Sequence, residues 1–200
     1  MIALIDYGAG NLTSVRKGFA AAAADLFTPR DPSELNTATG IVVPGVGNFA
    51  ATAALEGEWI EAIGRQVNMG TPLLGICLGM QWLYEGSDEA PVVRGLGAIA
   101  GRCSRLPPHA GLKVPHVGWN SLHAPQSSRL LAGVAEGTQV YFTHSYAAPI
   151  TPESAATCDH GAEFAAAVEI GHIFGVQFHP EKSSDAGIRI LRNFVAAAKG

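Results

Sequence analysis

Two hydrophobic rhythms alternate along the first half of the chain. Short unbroken apolar runs occupy 2–5, 41–43 and 73–76, each closed by a polar or glycine-rich turn. Runs of this kind suit strands buried on both faces. Between them, apolar residues recur at helical spacing. Val15, Phe19 and Ala23 share one face of a predicted helix over 12–24, and Trp59, Ile60, Ile63 and Val67 share one over 59–67. A strand at about 25–27 follows the first helix, and a helix over 78–84 follows the third apolar run. Repeated strand–helix units of this length predict a parallel sheet covered on both faces.

The second half has a different texture. From 98 to 167 short alternating segments, such as Val140-Tyr141-Phe142, stand between Gly, Pro and Ser clusters, which predicts an antiparallel extension of the sheet. A strand over 173–178 and a helix over 185–198 close the chain, the helix burying Ile188, Leu191, Phe194 and Val195. No internal repeat and no linker interrupts the pattern, so residues 1–200 are expected to form one domain. The expected fold class is α/β and flavodoxin-like, with a largely parallel central sheet, helices on both faces and the antiparallel extension in the second half.

Composition narrows the partners. Of 200 residues 48% are hydrophobic and 15% charged, as in a compact globular chain, and the net charge of -4 is spread without runs of either sign. That excludes a nucleic-acid footprint and a polybasic membrane patch. The start, Met1-Ile2-Ala3-Leu4-Ile5-Asp6, does not read as a signal peptide, and no apolar run approaches the ~18 residues of a membrane span. Cys77, Cys103 and Cys158 are widely spaced and form no C-x-x-C pair, so neither disulfides nor a metal cluster is expected and a reducing cytoplasm is the default.

Chemistry concentrates in Gly75-Ile76-Cys77-Leu78-Gly79, between a strand and a helix. It matches the G-x-nucleophile-x-G elbow with cysteine at its centre. A tight strand-to-helix turn projects one side chain off the sheet, and glycine at both flanks lets the backbones approach. Cys77 then sits at a helix N-terminus, whose dipole favours a thiolate. The Leu78 N–H points at the same place as an oxyanion donor. The competing reading is a buried structural cysteine, the usual fate of a free thiol.

A thiolate that expels an amine needs a proton donor. Among seven histidines (His109, His116, His123, His144, His160, His172 and His179), the context Gln177-Phe178-His179-Pro180-Glu181 singles out His179. It follows an apolar strand, and Glu181 two residues on would point the same way in extended chain. Pro180 stiffens the pair, and Glu181 would hold the imidazole tautomer and stabilise its charged form. The rival is His144, in Phe142-Thr143-His144-Ser145-Tyr146, with no acid near it in sequence.

Gly45-Val46-Gly47-Asn48-Phe49-Ala50 fits the dinucleotide pattern G-x-G-x-x-G/A, and Gly8-Ala9-Gly10-Asn11-Leu12-Thr13 comes close. That pattern also needs an acid at the end of the next strand. The next strands lead instead to Thr28-Pro29-Arg30 and to Cys77, so nucleotide binding is not expected. Pro44-Gly45-Val46-Gly47 reads better as backbone supplying the N–H groups of Val46 and Gly47 to a developing oxyanion.

Taken together, the elbow at Cys77 and the later pair His179 and Glu181 resemble the class I (triad) glutamine amidotransferases. Within that family the pattern is similar to the glutaminase subunits of imidazole glycerol phosphate synthases. The matching segments are Asp6-Tyr7-Gly8-Ala9-Gly10-Asn11-Leu12, Pro44-Gly45-Val46-Gly47, Gly75-Ile76-Cys77-Leu78-Gly79-Met80-Gln81, His116-Val117-Gly118-Trp119-Asn120, Tyr141-Phe142-Thr143-His144-Ser145-Tyr146 and Phe178-His179-Pro180-Glu181-Lys182-Ser183. The resemblance spans nearly the whole chain. It implies glutamine hydrolysis without metal or cofactor. As partner it implies a (β/α)8 cyclase, the pair forming a heterodimer that works in histidine biosynthesis. It further implies that Gly47, Gln81, Ser145 and Tyr146 hold the glutamine, and that Tyr7, Asn11, Trp119 and Lys182 face the cyclase. Ser145 departs from the family's Thr, but either hydroxyl serves.

Three other readings stay open at this level. The chain also suits the glutaminase subunit of another synthase, such as the one that makes pyridoxal phosphate. A peptidase or chaperone with an elbow cysteine is a second alternative, though such proteins seldom need a His-Pro-Glu element. A non-enzymatic flavodoxin-like binding module with an inert cysteine is the third.

Overall fold

The computed structural model describes residues 1–123 and 127–200. The chain runs through β1 (Ile2–Leu4), α1 (Leu12–Ala21), β2 (Leu26–Phe27), β3 (Gly40–Val43), α2 (Glu58–Asn68), β4 (Leu73–Ile76) and α3 (Leu78–Trp82). It continues through β5 (Tyr84–Ser87), β6 (Ile99–Arg105), β7 (His116–Ser121), β8 (Gln139–His144) and β9 (Tyr146–Ala147). The last elements are β10 (Ser154–Asp159), β11 (Glu163–Ile170), β12 (Ile173–Val176) and α4 (Ser184–Ala197). Short 3₁₀ helices at Pro32–Thr37, Phe49–Leu55 and Pro180–Lys182 punctuate the connections.

Seven strands form the main sheet in the order β10-β11-β12-β4-β3-β1-β2. The five from β12 to β2 are parallel, and β11 and β10 add antiparallel at the β12 edge. The architecture is therefore α/β, with the antiparallel extension in the second half. Not all of the 98–167 stretch joins it. β7 and β8 pair as a separate antiparallel ribbon, and β6 lies between β5 and β9 in a three-stranded sheet of its own. Residues 124–126 of that stretch lie outside the described residues.

Alternation along the strands feeds two cores. Ile2, Leu4, Val42, Leu74, Ile76, Phe174 and Val176 bury against α1 and α4, whose Phe19 and Phe194 rings meet edge to face at 6.2 Å. Ala3, Ile5, Ile41, Val43 and Leu73 belong to the opposite core, with Ala62 and Ile63 of α2 and Leu78 and Met80 of α3. Each fully buried Leu, Ile or Phe contributes about 1.5–3 kcal/mol, so the central strands are fixed by both layers at once.

Several boundaries differ from those the periodicity predicts. α1 stops at Ala21, and Ala23 has φ 58 and is exposed, so the buried face is completed by Gly18 and Ala22. The run of alanines there carries no signal for where the helix ends. On α2 the fully buried residues are Ala62, Ile63 and Gln66, while Trp59, Ile60 and Val67 are half-buried. α3 ends at Trp82 because Tyr84 already belongs to β5. On α4 the stripe is Gly187, Ile190, Leu191, Phe194 and Val195, with Ile188 half-buried beside it. Among the described residues no helix is long and apolar enough to cross a membrane.

The elbow glycines meet the close approach the sequence demands. A Cβ on Gly79 would run into the carbonyl oxygen of Val43, so α3 lies directly on β3. Gly64 on α2 is the contrast, since a Cβ there would meet no atom within 4 Å among the described residues. Gly79→Ala is expected to cost about 3 kcal/mol or more, because backbone must move to admit the methyl. Gly64→Ala should instead gain about 0.5–1 kcal/mol from helix propensity. Urea unfolding of the two variants checks both signs.

Candidate active site

The parallel strands end along one edge of the sheet, where α/β proteins carry their sites. β1 leads there to Asp6 and Tyr7, β3 to Pro44–Gly47, β4 to Cys77, and β12 to Gln177 and His179. Cys77 takes φ 53 and ψ -107, a conformation that L residues avoid. Its N–H donates to the Val176 carbonyl at 2.7 Å, which ties the elbow to the neighbouring strand end. The sulfur is held off the sheet, 3.6 Å from the Nε2 of Gln177 and 4.0 Å from the Thr143 carbonyl oxygen.

His179 is fixed through its own backbone. Its N–H donates to the Tyr141 carbonyl at 2.8 Å, and the Ser183 hydroxyl donates to the His179 carbonyl at 2.7 Å. That hydroxyl in turn accepts the Tyr141 N–H at 2.9 Å, so the turn is clamped to β8. His179 Nδ1 lies 2.8 Å from Glu181 Oε1, with both side chains almost wholly buried. Extended chain is not what brings them together. Pro180–Lys182 is a 3₁₀ turn opened by Pro180, and Glu181 reaches back to the ring. The proline's fixed φ suits the first position of such a turn as well as it suits a strand.

A cavity of about 230 Å³ opens beside the sulfur. It is lined by all four residues expected to hold substrate, Gly47, Gln81, Ser145 and Tyr146, and by Cys77 and Leu78. The cavity also gathers Glu89, Pro115, Thr143 and His144, which no motif marked as substrate-facing. Glu89 accepts the Phe49 N–H at 2.7 Å, so a carboxylate of the cavity wall ties down the segment after Gly47. His144 is not a base in waiting. Its Nδ1 lies 2.9 Å from the Tyr146 carbonyl and its Nε2 3.0 Å from His116 Nδ1. These two histidines face each other across the β7–β8 ribbon, a pairing visible only once the strand register is known.

Against known proteins, the chain matches the glutamine amidotransferase class-I family over residues 3–198. It belongs to that family. It is 46% identical to the imidazole glycerol phosphate synthase subunit HisH of Moorella thermoacetica, covering 96% of this chain and 93% of that one. It is 49% identical to the subunit of the same name from Methanothermobacter thermautotrophicus, covering 98% of each. Among solved structures, the crystal structure of a glutamine amidotransferase superposes with a TM-score of 0.77 at 17% identity over 100% of both chains. The glutaminase domain of Trypanosoma brucei CTPS gives 0.69 at 17% identity, covering 99% of this chain and 93% of that one. At that identity the structures speak for the fold.

The three oxyanion donors expected of this amidotransferase are not all free. The Leu78 N–H points to the Gly45 carbonyl oxygen at 3.4 Å. That oxygen belongs to the Gly45–Val46 peptide, so the Val46 N–H on the same plane points the opposite way, away from the Leu78 N–H. Gly47 has φ 103, and a Cβ there would meet no atom within 4 Å among the described residues. Gly45 is the opposite case: a Cβ there would strike the Tyr7 hydroxyl and, at 2.6 Å, the Leu78 Cβ.

Of the residues expected to face a partner, two lie together on Tyr141 and two lie after β1. Trp119 is 51% exposed and meets Tyr141 edge to face at 6.1 Å. The Lys182 Nζ lies over the other end of that arrangement, 5.6 Å from the Tyr141 ring centre. Asn11 caps α1 by accepting the Ser14 N–H at 3.0 Å. Tyr7 is only half-exposed, and its hydroxyl is buried without a hydrogen-bond partner among the described residues. That hydroxyl lies where a Cβ on Gly45 would be.

Electrostatics separate the titratable groups of the amidotransferase by task. Burial raises the thiols of Cys103 and, to about 12, Cys158, which leaves both inert in the core. Burial pushes His116 down to about 4 and His144 down to about 3, so both rings are neutral at pH 7. His179 goes the other way. Burial alone would lower it, but the neighbouring Cys77 sulfur and the Glu181 carboxylate outweigh that and push it up to about 10. The sulfur acts at close range although Nε2 has no well-aligned hydrogen-bond partner among the described residues.

The sign follows from linkage. A folded value above the free 6.5 means the His179 charge stabilises the protein below pH 6.5, and this is lost as pH rises towards about 10. Glu181→Gln removes the carboxylate that faces the ring, so His179 should titrate at least about one unit lower than in the wild type. Ring-proton NMR against pH measures this, and an unchanged midpoint would show that the carboxylate does not govern the imidazole.

Proposed function

We propose that this chain hydrolyses glutamine to glutamate and ammonia through Cys77, His179 and Glu181, as the glutaminase subunit of an imidazole glycerol phosphate synthase. In this reading residues 1–200 work as one amidotransferase domain, and the ammonia passes to a (β/α)8 cyclase partner. The cyclase uses it to form imidazole glycerol phosphate and an aminoimidazole carboxamide ribotide in histidine biosynthesis. The observation that carries the chemistry is the strained Cys77 at the mouth of an amino-acid-sized cavity, beside a buried imidazole held by a carboxylate. Near-full-length identity to two synthase subunits of that name supports the biological setting. A reducing cytoplasm suits three free cysteines.

The Cys77 thiolate attacks the side-chain carbonyl carbon of glutamine, and the carbonyl π electrons move to oxygen as the C–S bond forms. The His179 imidazolium gives its Nε2 proton to the departing nitrogen, the C–N bond breaks, and ammonia leaves behind a thioester. Neutral His179 then takes a proton from water, whose oxygen attacks the thioester and releases glutamate and the thiolate. Gln81, Ser145, Tyr146 and Gly47 surround the glutamine, and the Glu89 carboxylate is placed to receive its α-ammonium. Tyr7, Asn11, Trp119 and Lys182 ring the side from which the cyclase docks.

Oxyanion stabilisation demands a change at the Gly45–Val46 peptide. Turning it over withdraws the Gly45 oxygen from Leu78 and aims the Val46 N–H at the developing charge. The rotation is taken up by ψ of Gly45 and φ of Val46, and glycine at 45 leaves the first of these free. One missing oxyanion donor is worth ~10²–10³ in rate, so this single peptide is enough to hold the isolated chain nearly idle until a partner biases it.

Cys77→Ala is expected to abolish glutamine-dependent synthesis by the complex while leaving its ammonia-dependent synthesis intact. Residual glutaminase within about tenfold of wild type would remove Cys77 from the role. Gly47→Ala places an L residue at φ 103 and should change the ratio of stimulated to basal glutaminase, either raising the basal rate or abolishing stimulation. An isolated chain as fast as the liganded complex would rule out the switch.

A further inference from the structure

Gln177 is fully buried just after β12, beside the nucleophile, and is not among the residues that line the cavity. The orientation of its amide is settled by groups that have no choice of role. The Tyr146 carbonyl can only accept, so the Gln81 atom 2.8 Å from it must be Nε2. The same Nε2 lies 3.1 Å from Gln177 and therefore meets its Oε1. The remaining atom of the Gln177 amide, 3.6 Å from the Cys77 sulfur, is then Nε2, an N–H donor.

The Tyr146 carbonyl is itself held from the far side. It also accepts from His144 Nδ1 at 2.9 Å, which leaves His144 Nε2 bare to accept from His116 Nδ1 at 3.0 Å. His116 Nε2 is bare in turn and accepts from Asn120 Nδ2 at 3.3 Å. The Asn120 amide is fixed independently, since its Nδ2 donates to the Asp159 carbonyl and its Oδ1 accepts the Ser121 N–H, each at 2.8 Å. Assigned from either end, the donors and acceptors agree. Stacking of His160 on His116, at 4.0 Å between ring centres, holds that ring in place.

We propose that Gln177 is a further catalytic residue of the glutaminase, donating an N–H to the Cys77 sulfur so that the anion is favoured and aimed into the cavity, with Gln81 and the Tyr146 carbonyl locking that donor in place. This rests on the reading of Cys77 as nucleophile. A neutral donor suits the task better than a second cation would. It supports the thiolate without competing with His179 for the proton that ammonia must receive. The 3.6 Å separation suits a sulfur acceptor, whose radius exceeds that of oxygen.

The test follows alkylation of Cys77 by iodoacetamide in the full-length chain at pH 7, read by peptide mass spectrometry so that Cys103 and Cys158 are scored apart. In the wild type this modification must stop glutamine hydrolysis; if it does not, the nucleophile assignment fails rather than this one. Gln177→Met keeps the shape and removes the donor, and should slow both the alkylation and kcat of the cyclase complex by about tenfold to a hundredfold, with KM nearly kept. Gln177→Glu keeps the acceptor for Gln81 but sets an anion against the sulfur, and should be slower still. Alkylation and kcat of Gln177→Met within about twofold of wild type, or a rise in KM alone, would overturn the proposal. Should the variants not fold, wild-type protein labelled with ¹⁵N-glutamine decides. The Gln177 side-chain amide signals must shift when Cys77 is alkylated, while those of Gln66, bonded to Asn36 at 2.9 Å, stay in place. Unmoved Gln177 signals would likewise overturn it.

Discussion

The Cys77 N–H bonded to the Val176 carbonyl at 2.7 Å is the contact on which the site depends. It forces the chain leaving β4 to stay paired with β12 for one residue more than the strand itself. The helix must then start at once, and Cys77 is left at φ 53 with its side chain pointing off the sheet. Such a conformation costs on the order of 1–3 kcal/mol and persists only where the surroundings over-determine it. Here they do. β4 is flanked by parallel neighbours on both sides, and Gly79 presses α3 onto the Val43 carbonyl. The strain is met by packing that two hydrophobic cores supply, and it places a sulfur where a flat strand end could not.

The same contact brings two other functional segments into reach, because β12 continues directly into Gln177, Phe178 and His179. A glutamine and a histidine separated by one residue thereby both become neighbours of the sulfur. Phe178 between them is wholly buried and anchors the segment to the α1–α4 core. The polar groups sit in surroundings from which water is largely excluded, where each electrostatic contact gains strength and each unpaired atom costs more. Glu181 answers to this rule. Its Oε1 is paired with His179 while Oε2 is buried without a partner among the described residues, so the carboxylate has one strong reason to keep the imidazole charged.

How much of this could be read from the chain depends on the range of the interaction. Strands β1, β3, β4 and β12 were legible because both faces are buried and apolar runs are unambiguous there. The elbow was legible because its glycines answer a local steric demand. Helix ends were less so: nothing in Ala20-Ala21-Ala22-Ala23-Ala24 marks where α1 stops. The grouping of His116 with His144, and of Gln81 with Gln177, rests on strand register and on contacts between segments far apart in sequence, so no spacing rule reveals it. Glu89 was invisible for the same reason. It follows β5 in an ordinary turn, and only folding sets it in the wall of the cavity that Cys77 also lines.

The resting orientation of the Gly45–Val46 peptide has a physical logic of its own. A Leu78 N–H without an acceptor would be an unsatisfied donor; the Gly45 carbonyl accepts from it at 3.4 Å, near the outer limit of a hydrogen bond. A contact that long contributes at most about 1 kcal/mol, so it holds this orientation only weakly. In the proposed switch, the hydrogen bond given up is therefore small beside what an added oxyanion donor contributes to the reaction, about 3–4 kcal/mol. Tyr7 sets the limits of that exchange. Its buried hydroxyl lies where a Gly45 side chain would be, so only glycine fits the loop at that point, and the proposed exchange keeps there the residue whose dihedrals turn most freely.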